Sequence, residues 1–436
     1  GPIDCEADGD FYLSRSSSNR HSHRSRTESH HHYHSRHDRP SSHHHSTHHS
    51  RKDYSRSRSR EAYKYGHRHR HRAMSRHRDG HSYSQKSSHK SYNDDSERDD
   101  SIGHFLGGKG DIIGNKYRIL SELGTGTFAK AFEVVNIETN ERCAVKVVRS
   151  IPRYCRYAKV EAEIAADIGK RDPKHISHCC YLTDEFEFSG HYCMVMPILG
   201  KSLYDVLKEN DYRPFPMSYI RPILRHLLEA MQFMHSFGLT HTDLKLENLL
   251  FTTPAKEISV VNDAGESLWI PDITDVTVID YGSATYSTDR RKGTINTRQY
   301  RAPEVLMGME WDEESDIWGV ACIAMELFTG DLLFQTHDDL LHYALIEKIV
   351  GKIPAKMISN LSSRRQGYFD SNGHFIVSEL HHTEQDHVKN QKSLKELVGA
   401  SYPQFYDLMK SCLAIAPNLR ITAAEALMHP FFSGEN

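Results

Sequence analysis

The chain has 436 residues, room for one large or two to three ordinary domains, and its 55 Lys/Arg against 58 Asp/Glu leave a net charge of −3. No run approaches the roughly 18 consecutive apolar residues of a membrane span, and the eight cysteines are too scattered for a disulfide framework, which favours reduced, intracellular thiols. The near-zero charge hides two unlike parts. Residues 14–90 hold 19 basic and 5 acidic side chains with 18 of the 32 histidines, whereas residues 101–436 hold 35 basic and 44 acidic ones, a net of −9.

Gly1-Pro2 stands where a Met would and looks like a cleavage remnant, with no apolar signal core behind it. Residues 1–100 read as an arm. They are poor in Val, Ile, Leu and Phe and rich in Ser, His, Arg and Tyr, so too little apolar surface is available to offset ordering, and disorder is expected. Ser and Arg alternate over Ser55–Arg60, and His and Arg over His67–Arg72. Three uses stay open: a solvated linker, a His-based metal tract, or a polybasic segment for RNA or phosphorylated Ser/Arg partners.

Tyr117 to Ala131 reads as strand, Gly-rich turn, strand. Leu123, Gly124, Thr125, Gly126, Thr127, Phe128 and Ala129 form a candidate phosphate cradle, with Phe128 at a tip that could close over it. Gly-x-Gly alone also fits a tight hairpin with no ligand. Lys146 follows twenty residues after Gly126, in the apolar strand Ala144-Val145-Lys146-Val147-Val148. A helix is expected over Tyr157 to Ile168. Glu161 shares its apolar face with Ile164, Ala165 and Ile168 and is the first choice to orient Lys146; Glu163, beside Ala166 and Asp167, is the second. Cys179-Cys180 lacks a C-x-x-C or His ligand set and reads as core.

The decisive block is His241-Thr242-Asp243-Leu244-Lys245-Leu246-Glu247-Asn248, followed by Val278-Ile279-Asp280-Tyr281-Gly282 and Ala302-Pro303-Glu304. Asp243 can accept a hydroxyl proton, Lys245 can neutralise a transferring phosphoryl group, and Asn248 with Asp280 can hold Mg²⁺ against phosphates. In this order the set resembles the eukaryotic protein kinases. That resemblance implies an α+β, bilobal fold after the arm: a small β-rich N-lobe over 101–199 and a large helical C-lobe over 200–436. It also implies a hairpin-like insertion at 251–277, a CMGC-type insertion at 351–400, and ATP with Mg²⁺. Ala144, Leu123, Met196 (gatekeeper), Leu199 (hinge N–H) and Leu250 would then surround adenine. Asp316 would hold the catalytic loop, and Glu304 would pair with Arg420.

Thr242 in place of the usual Arg, with Arg153-Tyr154-Cys155, Asp280 to Thr285, Thr297 to Val305 and Thr336-His337-Asp338, resembles the Clk (LAMMER) dual-specificity kinases. The family box appears as Leu341 to Gly351 with five of eleven positions kept, Ala129 replaces a glycine, and Leu246 replaces a proline. The resemblance implies phosphorylation of Arg/Ser-rich splicing factors with Tyr autophosphorylation, a role in pre-mRNA splicing, and a nuclear location with the cytoplasm as a second one. It further implies a monomeric kinase domain and RNA or splicing-complex association through residues 14–90. The alternative is a pseudokinase or scaffold tethered by the arm. Without the Arg that clamps a phosphorylated activation segment, Thr294 and Thr297 are expected acceptors on which activity depends weakly. Asp211, Asp312, Glu313, Glu314, Asp338 and Asp339 are candidate contacts for substrate arginines.

Overall fold

The computed structural model describes residues 102–289 and 291–434. The arm at 1–100 lies outside the described residues. Six antiparallel strands begin the fold: β1 (Ile112–Ile113), β2 (Tyr117–Thr125), β3 (Ala129–Asn136), β4 (Arg142–Val148), β5 (Asp184–Phe188) and β6 (His191–Pro197), in the order β1-β2-β3-β4-β6-β5. Alternation fixes the faces. Phe132, Val134, Val145, Val147, Cys193 and Val195 turn to one side and bury against Phe105, Ile113 and Ile119.

The other face receives α1 (Pro152–Arg171), whose Ala158 and Ala162 pack with Ala129, Val148, Tyr192 and Met194. The helix begins five residues before the expected Tyr157. Pro152 at its first position loses no bond there and supplies a helical φ. Lys170 and Arg171 close the last turn against the helix dipole.

The larger, helical part contains α2 (Leu203–Glu209), α3 (Met217–Ser236), α4 (Glu314–Thr329) and α5 (Asp339–Ile349), then short helices between Ala355 and Val398, and α6 (Pro403–Cys412). Every residue of α4 from Ser315 to Leu327 is buried, so it is the central rod of this core. Glu347 on α5 anchors the 351–400 segment: it accepts from His374 Nδ1 at 2.8 Å and from the Phe375 N–H at 2.9 Å.

Three short pairings set up the site. β7 (Leu239–Thr240) pairs with β12 (Thr285–Tyr286), and β8 (Leu249–Phe251) pairs with β11 (Val276–Val278). Together they lay the loop 241–248 beside the loop 279–284. Between them β9 (Glu257–Val261) and β10 (Ser267–Pro271) form a hairpin. Its turn is closed by Asn262, whose Oδ1 accepts the Ala264 and Glu266 N–H groups at 3.1 and 2.9 Å, with Gly265 at φ 78°. Asn210 exchanges two 2.8 Å hydrogen bonds with the Trp269 backbone and docks the hairpin on α2.

Candidate active site

β2 and β3 meet in a turn in which the Gly126 N–H donates to the Ala129 carbonyl at 2.8 Å. Among the described residues, no atom beyond the chain neighbours lies within 4 Å of where a Cβ on Gly124 would stand, and residues 121–128 are exposed. The glycine therefore leaves room rather than relieving a clash. Ala129 pairs in register with Val148, so the missing third glycine costs no backbone strain. Phe128 packs edge-on against Tyr154 of α1, centroids 4.9 Å apart, and ties the tip to that helix. Arg149 helps by donating to the Thr127 carbonyl at 3.1 Å while lying over the Tyr154 ring.

Lys146 Nζ donates to both carboxylate oxygens of Glu161, at 2.9 and 2.8 Å. Glu163 lies exposed on the opposite side of the same turn. The apolar face chosen from the sequence is the face α1 presents to the sheet, which is why Glu161 and not Glu163 reaches the lysine. Burial pulls the Lys146 ammonium down, but the carboxylates of Glu161 and Asp280 more than offset it and hold it charged.

Asp316 of α4 organises the catalytic loop. Its carboxylate accepts the His241 N–H at 2.8 Å, the Thr242 N–H at 3.0 Å and His235 Nε2–H at 2.8 Å. Burial raises this carboxyl, and His235 and His241 together outweigh it, leaving the group below its ordinary value. Thr242 is thereby held at φ 73° and Asp280 sits at φ 68°, both in a region that non-glycine residues seldom adopt. Such strain clusters where geometry must be fixed in advance.

Asp243 faces a polar triangle. Thr297 Oγ1 donates to Asp243 Oδ1 at 2.7 Å, Lys245 Nζ donates to Thr297 Oγ1 at 3.1 Å, and Lys245 Nζ is 3.2 Å from Asp243 Oδ2. Asn248 Nδ2 donates to the Asp243 carbonyl at 2.9 Å, so its Oδ1 is left as an acceptor. Burial pushes the Asp280 carboxyl up, whereas Lys146 and the Gly282 N–H, 3.2 Å from Oδ1, bring it below the usual carboxylate range.

Tyr281 stands where most such sites carry Phe. Its ring is buried beside His241, and its hydroxyl donates to the Cys180 carbonyl at 2.7 Å, so the extra oxygen is satisfied. At the hinge Ala144 pairs with Met196, which packs on the α1 side of the sheet. Gly200 N–H donates to the Phe251 carbonyl at 2.8 Å, while the Leu199 N–H makes no backbone bond among the described residues. Leu250 on β8 bridges to Ser202, just past that hinge.

The protein kinase domain model matches residues 117–432. The chain is similar to dual specificity protein kinase CLK1 of Mus musculus, 36% identical over 346 residues, covering 77% of this chain and 70% of that protein. The chain belongs to the protein kinase family, in its Clk branch. It is also similar to the serine/threonine-protein kinase AFC2 of Arabidopsis thaliana, 36% identical over 349 residues that span 77% of this chain and 81% of the relative. Against dual specificity protein kinase lkh1 of Schizosaccharomyces pombe it is 36% identical over 345 residues, 78% of this chain but 50% of that one. The kinase thus spans half the length of the fission-yeast relative, and 41% of Doa of Drosophila melanogaster. A crystal structure of a kinase domain matches with a TM-score of 0.72 and 34% identity, over 76% of this chain and all of that one.

A protein kinase domain implies ATP and a divalent metal, and the residues present fit both. The open backbone at Gly124 and Gly126, with charged Lys146 beneath, suits a polyphosphate. Asn248 Oδ1 and the ionised Asp280 carboxylate are hard oxygen donors of the kind a divalent cation takes with phosphate oxygens. When bound, such a cation supplies charge neutralisation at the phosphates.

Thr297 was named from the sequence in the Clk-like run and as a phosphate acceptor. Its hydroxyl instead joins Asp243 to Lys245, and Asn296 Nδ2 braces the same loop by donating to the Thr242 carbonyl at 2.7 Å. No sequence signal separates a Thr that accepts phosphate from one that links two charged side chains. Several acids expected to face substrate are already engaged. Asp312 and Glu313 pair with Arg291, Asp339 pairs with Arg298 and Arg365, and Asp338 caps α5 through the Leu341 N–H.

Proposed function

We propose that this kinase transfers the γ-phosphate of ATP, with Mg²⁺, to Ser and Thr hydroxyls of Arg/Ser-rich proteins of the splicing machinery, in the nucleus, and to its own Tyr residues. The observation that carries the catalytic part is the Asp243–Thr297–Lys245 triangle set beside Asn248 and Asp280. Asp243 holds its carboxylate where an incoming hydroxyl can give up its proton, and Lys245 places positive charge on the same spot. Burial pulls Lys245 down, but Asp243 and Glu247 together keep it charged. The Lys146–Glu161 pair orients the phosphate tail, and Leu123, Ala144, Met196, Leu199 and Leu250 enclose the base.

The preference for arginine rests on charge. Residues 101–436 carry −9, and Glu247 is exposed on the turn directly after Lys245. Glu247 and Asp211 are both exposed, Asp211 beside Arg213 at 3.7 Å, and are the contacts proposed for a cationic peptide. RNA or splicing-complex association through residues 14–90 belongs to the same reading.

The test is transfer of labelled γ-phosphate by the full chain to an Arg-Ser repeat peptide with Mg²⁺. Incorporation into Ser is expected, and its absence under any divalent cation would favour a pseudokinase scaffold. Steering by charge adds a second expectation. KM for that peptide should rise as salt shortens the Debye length from ~10 Å at 0.1 M towards ~3 Å at 1 M; a KM indifferent to salt would argue that the acidic body plays no part.

A further inference from the structure

The loop leaving α1 brings His178 against α3, where it meets His226 and Glu229, three residues apart on one helical face. One ligating atom from each lies within 4.8 Å of the others. The His178 and His226 rings stack with centroids 4.3 Å apart, and His178 Nε2 is 2.8 Å from Glu229 Oε2. His226 Nδ1 is 3.2 Å from the Thr274 carbonyl oxygen. A carbonyl only accepts, so Nδ1 carries the proton and Nε2 offers its lone pair. That lone pair faces an anion, because Asp275 Oδ1 is 3.6 Å from Nε2. Two imidazoles and the Glu229 carboxylate, gathered within 4.8 Å of one another, can hold a cation.

The cluster is held in place from both sides. His178 sits at φ 60°, and its carbonyl accepts the Val278 N–H at 2.8 Å. The imidazoles are mostly sheltered, with 20% and 15% of the side chains exposed.

We infer that His178, His226 and Glu229 form a site for a transition-metal cation of the Zn²⁺ type, with Asp275 or water as a fourth ligand. Two imidazoles and a carboxylate suit Zn²⁺ and its neighbours rather than Mg²⁺ or Ca²⁺, which take all-oxygen sets. The Thr274 carbonyl supplies the outer hydrogen bond that fixes the tautomer of a ligating histidine. The site is separate from Asn248 and Asp280. It joins three elements: the loop after the helix that bears Glu161, α3, and the strand that leads into Asp280. A bound cation would clip them together.

The arm's 18 histidines also offer imidazoles to Zn²⁺, so the measurement must report on the folded body. Thermal unfolding of the metal-free full chain, with and without ZnCl₂, does so, because only binding to the native state raises Tm. Zn²⁺ at about 100 times its Kd is expected to raise Tm by roughly 3 °C or more. The rise should persist in His382→Ala, a control at an exposed histidine, and vanish in His226→Ala. Glu229→Gln, which preserves shape at a partly exposed position, should weaken it and decides the matter if His226→Ala unfolds early. No rise in the wild type, or the same rise in wild type, His226→Ala and Glu229→Gln, would overturn the assignment.

Discussion

Replacing Asp243 by Asn is expected to lower kcat by about 10²–10⁴-fold, the usual contribution of a positioned general base, while nucleotide binding stays near the wild-type level. Asn keeps the shape and one oxygen that can accept from Thr297, so the triangle with Lys245 is perturbed little. It cannot take a proton. The backbone of the loop is held by Asp316 rather than by the Asp243 side chain, which makes misfolding a weak explanation for any loss. The check is kcat at saturating ATP and peptide beside a direct nucleotide-binding measurement. A kcat within a few-fold of wild type would remove Asp243 from the reaction.

Replacing Arg420 by Leu should destabilise the fold by about 3–5 kcal/mol, the cost of stranding a buried charge. Arg420 grips Glu304 with two parallel bonds of 2.8 and 2.9 Å, and both side chains are fully buried. It also donates to the carbonyls of Glu314, Ala414 and Ile415 and lies over the Trp318 ring. Removing it leaves the Glu304 carboxylate and three carbonyls without their donor. A Glu304→Leu/Arg420→Leu double variant should recover part of the loss, since an apolar pair of similar volume removes the stranded charge. Urea unfolding of the three proteins measures this. A single variant within ~1 kcal/mol of wild type would mean that the pair does not hold the helical lobe together.

The sequence made the catalytic core legible because the chemistry allows few substitutes. Asp243, Lys245, Asn248 and Asp280 lie on two short loops, and the β8–β11 and β7–β12 pairings that align those loops need only a few residues each. Glu161 could be preferred over Glu163 because an apolar face has a period. The hairpin-like insertion at 251–277 was also expected, and its turn is closed by Asn262 with Gly265 at positive φ. What stayed hidden depends on contacts far apart in the chain. Thr297 reaches Asp243 across 54 positions, and Asp339 is paired by Arg298 and Arg365 rather than offered to a substrate. Phe128 was read as a lid over phosphate, but its partner Tyr154 lies on the next helix. The start of α1 was missed because a proline reads as a break unless its first-turn role is considered.

One measurement bears on activity, substrate class and activation together: kcat/KM of the phosphatase-treated 436-residue chain on an Arg-Ser repeat peptide and on a Ser-Pro peptide without arginine. Thr242 offers no positive charge to a phosphorylated activation segment; its hydroxyl donates instead to the Ser283 carbonyl at 2.9 Å. The dephosphorylated enzyme should therefore already be active and should prefer the Arg-Ser peptide by at least about tenfold, the equivalent of one retained charge contact of ~1.4 kcal/mol. An enzyme that stays inert until Thr294 is phosphorylated, or one that favours the Ser-Pro peptide, would contradict the account.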